Sequence, residues 1–328
     1  MLILIVGYGS IGKRHIENLS TLPDIEILVY TKRKYDNFLK ERKCKKIDSL
    51  YECLKMEPDA AIICNATNLH IKIALRLAKA HVHIFIEKPL SNSFSGIDNL
   101  QKIVKTNRLI THVGCVMRFH PCLKEIKGIL DTKQLGRIMS VQVENGSFLP
   151  DWHQYENYKK SYAARKDLGG GVVLTCIHEI DYLYWFFDKV NEVNSFLGKM
   201  SDLDIEVEDL ASVLLRFKTN IIAEIHLDYF QKPSERGGKI IGTKGKLVWD
   251  FEINSVKIYD NNKNRWIERL KPSKFDKNKM YLDEITYFLN CIKNKRKSFN
   301  NISKSSKVLE IALAIKKSDR CKKVVKIS

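Results

Sequence analysis

Over its first 120 residues the chain alternates short, mostly apolar runs with segments in which apolar residues return at helical spacing. The runs at 2–6 (LILIV), 25–30 (IEILVY), 60–64 (AAIIC), 82–87 (VHIFIE) and 109–115 (LITHVGC) do not alternate in and out. That pattern predicts strands covered on both faces, as in a parallel sheet. Between them, LHIKIALRLAKA at 69–80 places apolar residues at three- and four-residue steps, which predicts an amphipathic helix. Alternation of strand and helix predicts an α/β fold: a doubly wound parallel sheet of the Rossmann type.

Beyond RFHP (118–121) the pattern changes. A short helix near 122–130 precedes RIMSVQVENGSF (137–148), which alternates like a half-exposed strand. A polar, aromatic loop (150–168) and an apolar helical run (169–187) follow. Strand-like runs then come without intervening helices at 211–217, 220–230, 238–243, 246–251 and 255–260, and helices near 276–294 and 303–318 close the chain. This part is expected to be an α/β domain with a large, mostly antiparallel open sheet, one face of it free for a partner. The expected organisation is a dinucleotide-binding domain over 1–120 and a substrate-binding and oligomerisation domain over 121–328, with the closing helices candidates to pack back on the first. No apolar run approaches the roughly 20 residues that span a bilayer. The N-terminal apolar run turns into glycines without a basic leader, so it reads as a buried strand, with the cytoplasm as the expected location and no membrane partner.

Composition adds limits. The chain has 328 residues, 44% hydrophobic and 29% charged, and suits two domains. Eight cysteines are scattered without a C-x-x-C pair, so neither a zinc site nor a disulfide framework is expected. The net charge of +18 raises nucleic-acid binding as one reading, but the lysines are spread along the chain and no nucleic-acid motif accompanies them. A solvated lysine-rich surface, or an anionic substrate or cofactor, accounts for the excess.

The first strand runs into GYGSIGKRH, a G-x-G-x-x-G of Gly7, Gly9 and Gly12. Gly7 suits the tight turn, Gly9 close approach of a pyrophosphate, and Gly12 close helix–strand packing. The helix beginning at Ser10 and Ile11 offers its free amides and partial positive charge to the phosphates. An NAD enzyme usually carries an acidic residue about 20 residues further on. Here the second strand ends in VYTKRK, and Thr31, Lys32 and Arg33 suit the 2′-phosphate of NADP(H), which is favoured over NAD(H). The fourth apolar run ends in FIEKPLS, with Glu87, Lys88 and Pro89 where strand ends face a ligand crevice. A lysine there can hold a substrate oxygen as charge develops on it.

GYGSIGKRH (7–15), ATNLHIKIA (66–74), EKPLS (87–91), RFHP (118–121), GGGVVLTCIHEID (169–181) and SKSSKVLEIALAIKKS (303–318) occur in this order along nearly the whole chain. In this the chain resembles the Gfo/Idh/MocA oxidoreductases, the glucose–fructose oxidoreductase and inositol dehydrogenase family. The resemblance implies a Rossmann domain followed by an open-sheet domain, and NAD(P)-dependent hydride transfer at a carbon of a sugar, sugar derivative or nucleotide sugar. It also implies a homo-oligomer, dimer or tetramer, formed through that sheet. By the same resemblance Lys88 is the active-site lysine and His178 the candidate general acid and base. Asn68 and His70 fall in the loop bordering the nicotinamide, and Arg118 in the loop after the fifth strand. The chain departs from the family at one place. Many members have an aspartate four residues before this histidine, in a glycine-to-histidine segment one residue longer. Here Leu174 holds that offset and Thr175 lies three residues before His178.

Thr175, His178, Asp181 or Tyr182, and Trp185 recur at three- and four-residue steps, so they are expected to share one face of the helix. An imidazole there suits removal of a hydroxyl proton near neutral pH. The competing reading is a core-edge histidine satisfied by Asp181 or a carbonyl. Asp181 is expected to orient the histidine or the helix, Glu179 to be solvated or paired, and Gly169–Gly171 to let the helix start close to a ligand. In the loop before it, Trp152, His153, Tyr155, Tyr158, Tyr162, Arg165 and Lys166 suit a sugar carrying phosphate or carboxylate, Arg165 and Lys166 best, as in surface-glycan biosynthesis. A loop folding over the sheet or joining a subunit contact explains them nearly as well. Two rivals remain: a non-catalytic nucleotide-sensing protein of the same fold, and a reductase of a non-sugar acceptor.

Overall fold

The structure, a computed structural model, describes residues 1–152 and 157–327. The chain divides into two compact units, 1–116 with 277–309 and 117–276 with 310–328.

In the first unit six parallel strands are β1 (Leu2–Val6), β2 (Glu26–Tyr30), β3 (Lys45–Ile47), β4 (Ala60–Ile63), β5 (His83–Glu87) and β6 (Thr111–Gly114). Their order, β3-β2-β1-β4-β5-β6, reverses direction between β1 and β4, the switch point outside whose strand ends ligands bind in such sheets. Ile3, Leu4 and Ile5 are completely buried because helices cover both faces. The helices are α1 (Ser10–Ser20), α2 (Asn37–Glu41), α3 (Leu50–Leu54), α4 (His70–Lys79) and α5 (Ile97–Thr106), joined by α9 (Asn278–Lys293) from late in the chain. Phe288 of α9 packs edge-on against Phe85 of β5 at 5.6 Å, and Asn278 is hydrogen-bonded to Asn18 of α1 at 2.8 Å. The β6 residue His112 is buried between Ser298 (Nδ1 to Oγ, 2.6 Å) and Glu284 of α9 (Nε2 to Oε1, 3.1 Å).

The second unit holds a nine-stranded sheet: β7 (Ile138–Gly146), β8 (Val190–Gly198), β9 (Leu210–Phe217), β10 (Ile222–Asp228), β11 (Glu235–Gly242), β12 (Gly245–Asp250), β13 (Ser255–Asp260), β14 (Arg265–Leu270) and β15 (Val325–Lys326). Its order is β14-β13-β12-β11-β7-β10-β9-β8-β15, antiparallel except where β7 and β10 run together. In β9 and β10 buried and exposed residues alternate. The buried face carries α6 (Pro121–Asp131), α7 (Val172–Thr175) and α8 (His178–Phe187). On the other face Phe196 is 68% and Leu214 47% exposed. The division between units falls inside α10 (Ile302–Cys321).

The helical run expected over 169–187 is two helices. Cys176 leaves helical geometry (ψ 36°), so α7 stops at Thr175 and α8 starts afresh at His178. Gly170 and Gly171 stand where the chain packs closely on itself. A side chain at Gly170 would strike the carbonyls of Tyr162 and Ala163, and one at Gly171 (φ 104°) the carboxylate of Glu208. Among the described residues no helix is long and apolar enough to cross a membrane, and no cluster of three metal-ligating side chains exists.

Candidate functional site

In the first unit the glycine turn lies where β1 meets α1. At Gly7 φ is +108°, and a Cβ there would come within 2.9 Å of the Asn65 nitrogen and the Cys64 carbonyl carbon. A Cβ on Gly12 would strike the Gly7 carbonyl, whereas beside Gly9 nothing stands within 4 Å. Gly7 and Gly12 therefore bring the chain close to itself, and Gly9 leaves space open above the turn. No side chain caps α1 and its first turn holds no acidic residue, so the leading amides near Ser10 and Ile11 keep their partial positive charge. This cradle fits a pyrophosphate, the part of a dinucleotide the glycine pattern predicts. Gly7→Ala is expected to abolish dinucleotide binding and to lower the melting temperature, because it adds backbone strain of about 1–3 kcal/mol to a steric clash. Titration and thermal unfolding of the variant check this.

After β2, Thr31 is buried and its hydroxyl accepts from the Arg33 amide at 3.1 Å, while Lys32 and Arg33 are exposed. Asn68 is exposed in a turn of 3₁₀ helix and His70 opens α4, 1% exposed. The His70 ring spans two carbonyls, Nδ1 at 2.9 Å from Pro89 O and Nε2 at 3.0 Å from Asn65 O. Burial lowers its pKa, so the ring is neutral and donates to one carbonyl at a time. His70 thereby ties the loop after β4 to the turn after β5.

Glu87 ends β5 with its side chain turned inward. Its Oε1 lies 2.6 Å from Nε2 of His15, and its Oε2 accepts the Lys88 amide at 3.2 Å. His15 is completely buried on α1, edge-on to Phe85 at 5.3 Å. The backbone at Lys88 is thus fixed by a carboxylate anchored on α1, while the Lys88 side chain stays partly accessible. Tyr281 of α9 lies under Arg14, whose guanidinium carbon is 4.5 Å from the ring centre. Burial raises its pKa, and Glu87 raises it further. Sequence reasoning missed His15 and Tyr281. His15 stands one turn after Gly12, on the sheet-facing side of α1, and that spacing was the available signal.

In the second unit α8 begins with three polar residues that the structure buries: His178 (8% exposed), Glu179 (0%) and Asp181 (1%). Asp181 gives both oxygens to Arg118, from Nε and Nη2, each at 2.7 Å. The Arg118 guanidinium carbon also lies 5.5 Å from the centre of the Trp185 ring. Asp181 therefore anchors α8 to the segment before α6 through a two-pronged ion pair. Glu179 is paired rather than solvated: it accepts from Arg236 Nε at 2.8 Å and from Asn145 Nδ2 at 3.2 Å.

Thr175, at the end of α7, is buried with its hydroxyl beside that of Tyr229. Burial raises the Tyr229 pKa well above its usual value, and Trp152 packs edge-on to its ring at 5.4 Å. Leu174, where many family members carry the aspartate, is buried apolar surface. In the preceding loop Arg165 is exposed and paired with Asp167 (2.9 Å), and Lys166 is exposed. His153 and Tyr155 lie outside the described residues.

Residues 1–115 match the model of an oxidoreductase family with an NAD-binding Rossmann fold, and residues 123–248 match the GFO/IDH/MocA C-terminal domain. The chain is 25% identical to myo-inositol 2-dehydrogenase of Thermotoga maritima, over 100% of this chain and 98% of that protein. It is 22% identical to glucose-6-phosphate 3-dehydrogenase of Bacillus subtilis, over 78% of this chain and 75% of that one. Among solved structures, levoglucosan dehydrogenase in complex with NADH has the same fold, with a TM-score of 0.90 at 17% identity over 100% of this chain and 99% of that one.

Proposed function

The chain belongs to the Gfo/Idh/MocA oxidoreductase family, and from that premise we propose that it passes a hydride between a nicotinamide coenzyme and a carbinol or keto carbon of a sugar, sugar derivative or nucleotide sugar. The observation that carries the reading is the placing, at the ends of β1 and β5 on either side of β4 in one parallel sheet, of an uncapped glycine cradle and a lysine whose backbone is held by the buried His15–Glu87 contact. The names of the relatives, dehydrogenases of inositol and of a sugar phosphate, support the substrate class.

The bound nicotinamide supplies the hydride acceptor or donor. Lys88 holds the substrate oxygen and steadies negative charge as the C–O bond changes order. His178 takes the hydroxyl proton during oxidation and returns it during reduction. The Arg118–Asp181 pair, by fixing the first turn of α8, keeps the imidazole in place. Thr175, Arg165 and Lys166 are the further candidates for substrate contact.

The coenzyme is NADP(H) in preference to NAD(H): Lys32 and Arg33 are exposed after β2, where a 2′-phosphate would need cations. Assay of a panel of inositols, hexoses, sugar phosphates and nucleotide sugars with both coenzymes tests the function. Turnover with at least one sugar, faster with NADP(H), is expected. Coenzyme binding without hydride transfer to any member would overturn the enzymatic reading, and a strong preference for NAD(H) would overturn the choice of coenzyme. The exposed face bearing Phe196 and Leu214 is the surface through which copies of the chain would associate into a dimer or tetramer; light scattering measures the size.

A further inference from the structure

The segment between β2 and α2 reads Thr31-Lys32-Arg33-Lys34-Tyr35-Asp36, three cations and one carboxylate. Such a segment sends conflicting signals to a coenzyme. The cations favour a 2′-phosphate, and a free carboxylate would repel it and accept hydrogen bonds from an unphosphorylated ribose. The structure shows what the carboxylate does. Asp36 caps α2, taking the Leu39 amide on Oδ1 at 3.1 Å. The hydroxyl of Tyr8, which stands between Gly7 and Gly9 in the glycine turn, reaches the same carboxylate at 2.7 Å from Oδ1 and 2.9 Å from Oδ2. Lys13 of α1 lies 3.8 Å from Oδ2, with its ammonium 4.9 Å from the centre of the Tyr8 ring and 5.3 Å from that of Phe38.

Tyr8 is only 4% exposed and part of the first unit's core. Its hydroxyl is therefore a fixed point, not a mobile surface group, and it joins the glycine turn to the coenzyme-selecting segment directly. Burial, and then Asp36, hold that hydroxyl protonated by raising its pKa, while the Tyr8 hydrogen bond lowers the pKa of Asp36. The carboxylate is ionised and already engaged by a hydroxyl, an amide and an ammonium.

We propose that Tyr8 and Asp36 form a latch that sets coenzyme choice: Tyr8 fastens Asp36 back, withdrawing the segment's one carboxylate and leaving Lys32, Arg33 and Lys34 exposed to receive a phosphate. The proposal rests on the reading that a dinucleotide lies on the glycine turn, and it adds a specificity determinant that starts from a residue of that turn. Without the Tyr8 hydroxyl, Asp36 keeps its cap to Leu39 but is free to turn its second oxygen outward. The anion then opposes a 2′-phosphate and welcomes a ribose diol.

Direct binding titrations of NADPH and NADH, by fluorescence or calorimetry, test this on the wild-type chain and on Tyr8→Phe and Asp36→Asn. In Tyr8→Phe the ratio of NADPH to NADH affinity is expected to fall at least tenfold. Asp36→Asn keeps an acceptor for both Tyr8 and Leu39 while removing the charge, so its ratio is expected to hold or rise with NADH binding intact. A Tyr8→Phe ratio within twofold of wild type overturns the latch. So does loss of NADH binding in Asp36→Asn, which would make Asp36 a ribose acceptor. The latch is read from the change in ratio, so a wild-type chain that favours NADH refutes the coenzyme assignment and still lets Tyr8→Phe decide the latch. A chain that binds neither coenzyme refutes both readings.

Discussion

Replacing His178 with alanine is expected to lower turnover by about a hundredfold or more, and Lys88→Ala by a similar factor, while coenzyme affinity stays within a few-fold of wild type. The two losses differ in kind. Without the imidazole the proton must leave through water, so His178→Ala should flatten the pH dependence of kcat near neutrality. Without the ammonium the substrate oxygen loses a donor that strengthens as charge builds, so Lys88→Ala should lower kcat and kcat/KM together. Steady-state kinetics from pH 5 to 9, with coenzyme titration as the control for folding, separate them. Near-normal turnover in either variant would remove that residue from the mechanism. The Glu87–His15 contact gives the Lys88 effect its sharpness, because the backbone of the lysine is tied to α1 and a neighbouring lysine cannot easily substitute for it.

Asp181→Ala is expected to destabilise the protein by about 3–5 kcal/mol, since it takes from a buried guanidinium the carboxylate that receives two of its hydrogen bonds. Arg118 and Asp181 have side chains only 4% and 1% exposed, and their two parallel hydrogen bonds have no water to replace them. Replacing both partners with apolar residues, Arg118→Met with Asp181→Leu, should recover most of the loss, because no unpaired charge then remains inside. Denaturant unfolding of the two singles and the double measures the coupling. A cost below about 1 kcal/mol for Asp181→Ala would mean that the pair behaves like a surface ion pair. The same variants read a second effect: a double that is stable yet slow would place the pair in positioning α8, and hence His178, beyond its part in stability.

Much of the fold is legible in the sequence. Five of the six strands of the first sheet announced themselves as predominantly apolar runs, because a strand covered on both faces buries most of its side chains, with the few polar ones such as His112 paired inside. β3 did not: Lys45–Ile47 is a three-residue edge strand with two lysines, paired on one side only. In the second sheet the alternating runs of β9 and β10 were plain, while β8, β14 and β15 carry too few apolar residues in phase to stand out. The break between α7 and α8 was hidden for a different reason. Apolar residues fill 172–187 whether the helix is continuous or not, so periodicity had no contrast to mark the stop at Cys176.

Glycines, lysine and histidine at fixed places along the chain sufficed for a coenzyme-binding fold with a candidate lysine for the substrate oxygen and a candidate acid–base histidine, because local geometry and chemistry tie those residue types to short motifs. Which polar groups pair with which was decided by folding. Asp36 goes to Tyr8, 28 positions away, Glu87 to His15 at 72, and Asp181 to Arg118 at 63. A carboxylate looks the same in a sequence whether it will bind a ribose, hold a backbone or fasten a loop. Its role depends on the donors that burial leaves within 3 Å of it, and the tertiary structure alone brings those donors together.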